Sequence, residues 1–295
     1  MSGKLVLQWD YSYMGMAYLS YVQGYKGPAF DIVFGADPEA ITPVDPERSD
    51  SWELGVKTEL LDGRIRINAS LFHSVYDDFQ ASAFYDPDGA PDCPIDNPGC
   101  DPDNQTPTFR LLNAGEVQTQ GLEVDVMAQV TRNLRVSGGL ALIDATIEEY
   151  DLGKCSSGQE ERGECPNGVQ DLGGGDLPYS PDWKLTLTSA YTWERDSSFD
   201  VVFIGTVQAQ DELLYDISQD KNMVADSYAT LDLSVRLDDH NDRWSSTLFV
   251  KNVTDEFYVK GIGEMLASVV PNGYTHRVVK QSERQYGVEV RYRWP

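Results

Sequence analysis

The chain has 295 residues, and 48 acidic against 23 basic side chains give it a formal net charge of −25. Nucleic-acid binding requires a basic face, so this charge argues against DNA and RNA as partners. Mean hydropathy is −0.40, and no run of roughly 18 apolar residues occurs, so no transmembrane helix is predicted. A β-barrel is compatible with this hydropathy, because half of each strand faces a polar interior.

Alternating hydrophobicity predicts β-strands from the N-terminal residues onward. A short strand is expected at residues 4–10 and a longer one at 13–26, followed by a connection rich in Pro and Asp. Two further strands, at 52–60 and 65–71, flank Asp62-Gly63, which is a tight hairpin signal. Apolar and polar residues alternate along both, as is typical of half-buried strands.

The same pattern continues to the C-terminus, with short turns and long loops in alternation. Further strands are predicted at residues 122–129, 134–150, 183–193, 199–207, 229–237, 244–258 and from 283 onward. Short turns lie near residues 11, 62, 132, 196 and 240, and long loops near 27–50, 80–108, 151–180, 211–225 and 259–282. This makes about eleven strands, most of them with the roughly 9 to 11 residues that a tilted strand needs to cross a bilayer.

A transmembrane barrel explains two features that a soluble β-sandwich, the alternative all-β fold, leaves unexplained. Bacterial barrels alternate short periplasmic turns with long extracellular loops, whereas sandwich loops have mixed lengths. Barrels also carry girdles of aromatic rings at both interfaces, and the candidate girdle rings are Trp52, Trp183, Trp193, Trp244 and Trp294. The sequence therefore predicts an all-β, antiparallel transmembrane β-barrel.

The cysteines form two close pairs, Cys93 with Cys100 and Cys155 with Cys165, in segments rich in Asp, Gly and Pro. Local pairing is one of three possible connectivities, and the short spacing in polar loops favours it. Two such loop disulfides imply an oxidising compartment. Zinc is the other use of paired cysteines, but neither spacing is Cys-x-x-Cys and no histidine is near.

Two kinds of loop residue are candidates for binding. The aromatic residues Phe84, Tyr85, Tyr215 and Tyr274 have rings that either stack on a ligand or pack within their own loops. The first cysteine loop contains Asp86-Pro87-Asp88-Gly89, more aspartates and no basic residue. Its oxygens suit calcium or divalent bridging to lipopolysaccharide, but the EF-hand pattern is incomplete. A solvated acidic loop is the alternative, and we assign no metal ligand.

Four segments carry motifs in a fixed order. They are Tyr18-Leu19-Ser20-Tyr21 with Gly24-Tyr25-Lys26-Gly27; Pro46-Glu47-Arg48 with Trp52-Glu53-Leu54-Gly55-Val56-Lys57; Asn113-Ala114-Gly115 with Gln120-Gly121-Leu122-Glu123; and Lys251-Asn252-Val253-Thr254-Asp255 with Tyr258. Together they resemble the C-terminal part of the barrel of TonB-dependent outer-membrane receptors. The resemblance implies a barrel of about 22 strands, of which residues 1–295 are the C-terminal half, a partial barrel domain.

Family members carry a signal peptide, an energy-coupling box and a plug domain ahead of the barrel, and none of these is recognisable in residues 1–295. In the family, an inner-membrane partner acts on the plug to release ligand. We therefore expect that these residues alone do not transport.

The resemblance implies active uptake of a scarce ligand, most commonly an iron–siderophore complex, across the outer membrane of a Gram-negative bacterium. The implied partners are the lipid bilayer with its lipopolysaccharide, the barrel assembly machinery, and the TonB-ExbB-ExbD complex through the N-terminal part. A passive porin-like barrel is the alternative. A barrel surface hydrolase is less favoured, because His73, His240 and His276 belong to no recognised catalytic motif. We therefore expect no enzymatic activity and no cofactor.

Overall fold

The computed structural model describes residues 2–30, 43–85, 108–165, 168–195, 198–265 and 273–294, without the side chains of 82–85, 108–110, 112 and 114. Within these ranges, no helix is both long enough and apolar enough to span a membrane. Helical structure in the described residues is limited to the α-helix Ser157–Glu161 and the 3-10 turns Lys221–Met223 and Lys280–Ser282. Nearly all the regular structure is therefore β-sheet.

Eleven long strands pair in chain order within one antiparallel sheet. They are β1 Gly3–Ser12, β2 Gly15–Lys26, β3 Glu47–Leu60, β4 Ile65–Tyr85, β5 Thr108–Gln129, β6 Leu134–Glu149, β7 Trp183–Trp193, β8 Phe199–Gln210, β9 Tyr228–Asp239, β10 Trp244–Lys251 and β11 Gln285–Tyr292. Each strand pairs with the next one along the chain, so the sheet is an up-and-down meander. The predicted antiparallel all-β fold and its number of strands are confirmed.

Some predicted boundaries are wrong at the long-loop ends. Strand β4 continues to Tyr85 and β5 begins at Thr108, where a long loop was expected from residue 80. Pairing across a β-bulge at Asp77-Asp78 extends these two strands beyond the segment with regular alternation. The strand predicted at 244–258 ends at Lys251, because the next residue, Asn252, adopts a positive φ of 49°.

The predicted Asp62-Gly63 hairpin is present. Leu61, Asp62 and Gly63 have φ values of 53°, 55° and 80°, and the amide of Arg64 donates to the carbonyl oxygen of Leu61 at 3.2 Å. A tight turn of this kind needs positive φ at its central residues, which Asp and Gly tolerate.

The strand register places apolar residues on one continuous face. Leu7 lies opposite Leu19, Leu19 opposite Leu54, Leu54 opposite Leu71, Leu71 opposite Leu122, and Leu122 opposite Leu142, so one row crosses β1 to β6. We call this row the leucine belt. Leu7, Leu54 and Leu71 are each more than half exposed, so no protein core covers them. An apolar face of this extent requires lipid or another apolar surface.

The opposite face of the sheet is polar. Lys57, Asn68, Asp125, Gly139, Thr186, Gln208 and Thr230 follow one another across β3 to β9 in direct register. We call this face the polar wall. The two faces result from the two-residue period of the strands together with an unbroken register from strand to strand.

In the described part of the chain the sheet is open at both edges. Strand β1 pairs with β2 alone and β11 pairs with β10 alone. Because every pairing between them is antiparallel, β1 and β11 run in the same direction. The two edges therefore cannot pair with each other in an antiparallel manner.

The buried core lies in the long loops rather than under the sheet. Short strand pairs occur there: Ala29–Phe30 with Pro43–Val44, Gly153–Lys154 with Val169–Gln170, Leu213–Leu214 with Val224–Ala225, and Val259–Glu264 with Tyr274–Val278. One apolar cluster comprises Ile147, Tyr150 and Leu172. The other comprises Leu213, Tyr215, Met223, Ala225 and Ile262. Both clusters sit where the long loops leave the strands.

Candidate functional site

The polar wall has a depression that crosses β4 to β7. Its lining includes Arg66, Glu123, Asp125, Lys184 and the hydroxyls of Thr186 and Thr188. Both signs of charge and several hydrogen-bonding groups are therefore exposed on this face. Such a surface suits contact with water, a polar solute or another polar protein surface.

Three long loops meet at the end of the sheet that carries the long connections. They follow β6 (residues 150–182), β8 (211–227) and β10 (252–284). We call the described residues of these loops the loop cap. Its contacts are specific side-chain interactions, and the most connected group is the carboxylate of Asp220 in the β8–β9 loop.

The β6–β7 loop contributes a hairpin that is closed by a disulfide. Cys155 and Cys165 are bonded, with their Cα atoms 6.4 Å apart. Between them lies the helix Ser157–Glu161, capped by Ser156, whose hydroxyl accepts from the amide of Gln159 at 3.0 Å. The Gln159 side chain accepts in turn from the amide of Ser156 at 2.8 Å, which completes a capping box. A helix this short needs such support, because a single turn is unstable by itself.

Asp220 is fully buried, and donors from all three loops surround its carboxylate. Arg162 of the β6–β7 loop donates to Oδ1 at 2.9 Å, and Tyr274 of the β10–β11 loop donates to Oδ2 at 2.6 Å. The hydroxyl of Ser156 also donates to Oδ2, and the amide of Asn222 donates to Oδ1 at 3.0 Å. A buried carboxylate is tolerated when it is paired and hydrogen-bonded in this way.

The protonation of Asp220 follows from these contacts. Burial by itself would raise the pKa of this carboxyl, but the hydrogen bonds from Ser156, Tyr274 and Asn222 and the charge of Arg162 outweigh it. The pKa of Asp220 is therefore below its usual range, and the group is ionised at neutral pH.

Further ionic contacts surround this centre. Arg162 also bonds Glu164 at 2.8 Å, and Lys221 bonds the same carboxylate at 2.6 Å. Hydrogen bonds from Arg162 and Lys221 lower the pKa of Glu164 to about 2. Glu264 of the β10–β11 loop accepts from the amide and the hydroxyl of Ser157 at 2.6 and 2.9 Å, which adds a second link between that loop and the helix.

The predicted ligand-binding aromatics have the following positions. Tyr215 is buried in the cluster with Met223 and Ile262, and its hydroxyl donates to the carbonyl oxygen of Val259 at 3.2 Å. Tyr274 packs against the same cluster. The structure brings these two rings together within the loop cap, and a ligand contact for them stays a prediction. Phe84 and Tyr85 end β4, but their side chains lie outside the described residues.

Some of the other residues singled out in the sequence lie outside the described residues. The pair Cys93 and Cys100 and the acidic segment around them lie outside the described residues. The three histidines are apart: His73 lies in β4, His240 follows β9 at the short-turn end, and His276 lies in the β10–β11 loop. His240 is 3.0 Å from a carboxylate oxygen of Asp200.

Sequence patterns did not predict a basic and aromatic cluster at the long-loop end of β8 and β9. Tyr228 and Tyr258 stack with their ring centroids 4.1 Å apart and 3° between their planes. Nζ of Lys260 lies 4.7 Å and 5.2 Å from these two centroids. The ammonium also donates to the hydroxyl of Tyr228 and, at 3.5 Å, to Oε1 of Gln210. We call Tyr228, Tyr258 and Lys260 the lysine–tyrosine cluster.

Lys260 is a basic group in a strongly acidic chain, and burial lowers the pKa of its ammonium. Gln210, its neighbour, pairs across the strands with Lys184, a basic residue of the polar wall. An anion placed against Lys260 would favour its charged form, and the tyrosine faces offer stacking area. The arrangement is therefore suited to an anionic group attached to an aromatic or other flat molecule.

Residues 1–253 match a family model described as TonB dependent receptor-like, beta-barrel. Among curated proteins, the chain is similar to the metal-pseudopaline receptor CntO of Pseudomonas aeruginosa, with 34% identity over 103 residues. That alignment covers 35% of this chain and 12% of CntO.

The fold is similar to those of solved receptors. The ferric yersiniabactin uptake receptor FyuA from Yersinia pestis aligns with a TM-score of 0.70 and 17% identity, over 98% of this chain and 36% of FyuA. The ferric-catecholate import receptor Fiu from E. coli K12 aligns with a TM-score of 0.63 and 19% identity, over 97% of this chain and 34% of Fiu. The chain thus spans about a third of the length of these receptors.

Proposed function

The chain belongs to the TonB-dependent receptor β-barrel family, and on that premise we propose that it supplies wall and extracellular loops to a receptor for active uptake. We place this receptor in the outer membrane of a Gram-negative bacterium, with energy supplied through the TonB complex. For the ligand we propose a metal–chelate complex, most simply an iron–siderophore. The relatives support this class, since their names refer to ferric yersiniabactin, ferric catecholates and metal-pseudopaline.

The observation that carries the proposal is the continuous two-faced sheet. The leucine belt provides an apolar surface for lipid, and the polar wall provides a surface for a water-filled interior. The long loops lie at one end of this wall and the short turns at the other, as in barrels that bind ligands from outside the cell.

Within this function we propose that the lysine–tyrosine cluster contacts the ligand. Many metal chelators carry carboxylate or catecholate groups, which are anionic and either flat or attached to flat rings. Such a group would meet the ammonium of Lys260 and the faces of Tyr228 and Tyr258 at the outer end of the polar wall. Two loop side chains, Tyr258 and Lys260, and one strand side chain, Tyr228, would then bind it together.

The test is binding and uptake by the receptor that carries this sequence, using ferric carboxylate and ferric catecholate chelates as probes. Lys260→Met should weaken binding of the transported chelate roughly ten-fold, because a charge-assisted contact is lost. Lys280→Met is the matched control, since Lys280 is exposed in the same loop and should bind as the parent does.

Two results would count against the proposal at different levels. Unchanged affinity in Lys260→Met would remove the lysine–tyrosine cluster from the ligand site while leaving receptor function in place. Uptake of the chelate that persists when the proton gradient is collapsed would contradict active transport itself.

A further inference from the structure

The loop cap has one feature that the uptake function does not require. Loops from three different strand connections meet at the single buried carboxylate of Asp220. We propose that these three loops open and close together as one lid, with Asp220 as the group that couples them. The inference concerns loop motion alone and does not depend on the identity of the ligand.

The contacts of the β6–β7 loop with the β8–β9 loop are extensive. Besides Ser156 and Arg162, which bond Asp220, Gln159 donates from Nε2 to the carbonyl oxygen of Ser218 at 2.9 Å. Nε2 of Gln219 in the β8–β9 loop donates to the carbonyl oxygen of Asp176, which lies farther along the β6–β7 loop, at 2.8 Å. The amide of Tyr179 donates to the carbonyl oxygen of Leu214 at 2.9 Å. These contacts fix the two loops to each other along much of their length.

The β10–β11 loop joins the same unit through both polar and apolar contacts. Tyr274 bonds Asp220, and Glu264 bonds Ser157 at the start of the helix. Ile262 from this loop completes the apolar cluster with Leu213 and Met223 of the β8–β9 loop. The apolar cluster is therefore complete only when the β8–β9 and β10–β11 loops are packed together.

Coupling follows from the cost of opening one loop alone. If the β6–β7 hairpin left, Asp220 would lose Ser156 and Arg162 while still confined beside Tyr274 and Asn222. A buried carboxylate that loses its donors pays a desolvation cost without compensation. Water reaches Asp220 completely only if the β10–β11 loop moves as well. Opening of the three loops is therefore linked.

The lid also carries part of the lysine–tyrosine cluster. Lys260 lies in the β10–β11 loop, whereas Gln210 and Tyr228 lie on strands of the wall. When the lid opens, Lys260 moves away from the wall with Tyr274. Release of Asp220 would thus separate Lys260 from Tyr228 and Gln210 and dismantle the basic site.

Amide hydrogen exchange of the full receptor in detergent, without ligand, tests the coupling. Asp220→Asn should accelerate exchange roughly ten-fold in peptides from all three loops, because one carboxylate serves them all. Asp216→Asn is the matched control, since the Asp216 carboxylate accepts from the amide of Ser218 within its own loop. Faster exchange confined to the β8–β9 loop in Asp220→Asn would overturn the proposal.

A milder variant keeps the test decisive if Asp220→Asn fails to assemble. Tyr274→Phe removes one hydroxyl donor and retains the ring against the apolar cluster. Exchange should then increase in residues 155–165, which are far from Tyr274 in sequence. Unchanged exchange in that hairpin would show that the loops move independently. Because no ligand is present, either result leaves the proposed uptake function untouched.

Discussion

At the residue scale, neighbouring side chains of one strand face different surroundings. Leu71 lies in the leucine belt between Leu54 and Leu122, while Ser70 lies on the polar wall between Gly55 and Glu123. The two positions are adjacent in β4, so both lie at nearly the same depth and pair with the same two neighbouring strands. They therefore form a matched pair for testing which face meets lipid.

We expect Leu71→Arg to destabilise the folded receptor in lipid by about 2–4 kcal/mol, the cost of arginine near the bilayer midplane. Ser70→Arg places the same side chain on the polar wall and should cost far less. Urea unfolding in phospholipid vesicles measures both. Equal destabilisation by the two variants would contradict the assignment of the faces.

Two motif residues have roles that become clear only from their contacts. A Cβ added to Gly55 would collide with the ring of Tyr18 on the neighbouring strand, so the glycine makes room for that aromatic. Asn252 is buried, and its side chain bonds the amide and the carbonyl oxygen of Glu256, which shapes the start of the β10–β11 loop. Gly55 thus serves the packing between neighbouring strands, and Asn252 serves the backbone geometry of the loop.

At the element scale, the loop cap depends on ionised carboxylates, which makes its closure sensitive to acid. The pKa of Glu164 is lowered from 4.5 to about 2 by Arg162 and Lys221, and that of Asp220 is also lowered. A depressed pKa in the folded state stabilises that state above the ordinary pKa and loses this contribution as pH falls.

We therefore expect the cap to be fully closed above about pH 4.5 and to loosen progressively as pH falls toward about 2. Amide exchange of the loop peptides, corrected for its intrinsic pH dependence, measures this. Glu164→Gln should remove part of the dependence. Exchange that is independent of pH between 7 and about 3 would contradict the prediction.

The disulfide hairpin is a second element whose contribution is measurable. The bond between Cys155 and Cys165 restricts the segment that carries Ser156 and Arg162. Replacing both cysteines with serine should destabilise the cap by about 2–4 kcal/mol through greater freedom of the open hairpin. Protease sensitivity of residues 155–165 reports the change, and reduction of the parent protein by a dithiol should reproduce it. If resistance to protease is unchanged in both experiments, the disulfide does not stabilise the loop cap.

At the scale of the whole molecule, the open edges of the sheet determine what it needs for stability in a membrane. Unpaired backbone groups at a lipid-exposed edge cost several kcal/mol each. Strands β1 and β11 run in the same direction, so antiparallel partners for both edges must come from additional strands. An odd number of such strands closes the sheet.

Residues 1–295 folded alone into detergent should therefore not form a compact barrel that resists SDS until heated. Electrophoretic mobility before and after boiling measures this, with intact FyuA as a barrel of related fold for comparison. A heat-dependent shift of residues 1–295 alone would show that the edges find another way to close.

The sequence predicts the sheet much better than the loop cap, and the reason is physical. Strand alternation has a period of two residues and is visible locally, as in Trp183 to Trp193, which are the first and last residues of β7. The Asp220 centre joins residues that are more than fifty positions apart. No local pattern distinguishes Asp220 from the many other loop aspartates.

A surface assembled from three loops also affects how other molecules recognise this protein. An antibody or a phage protein that binds the intact loop cap would contact side chains from all three loops together. Synthetic peptides copied from any one of these loops would lack most of that epitope. One substitution at Asp220, which is itself inaccessible, would weaken such recognition without altering any residue on the outer surface.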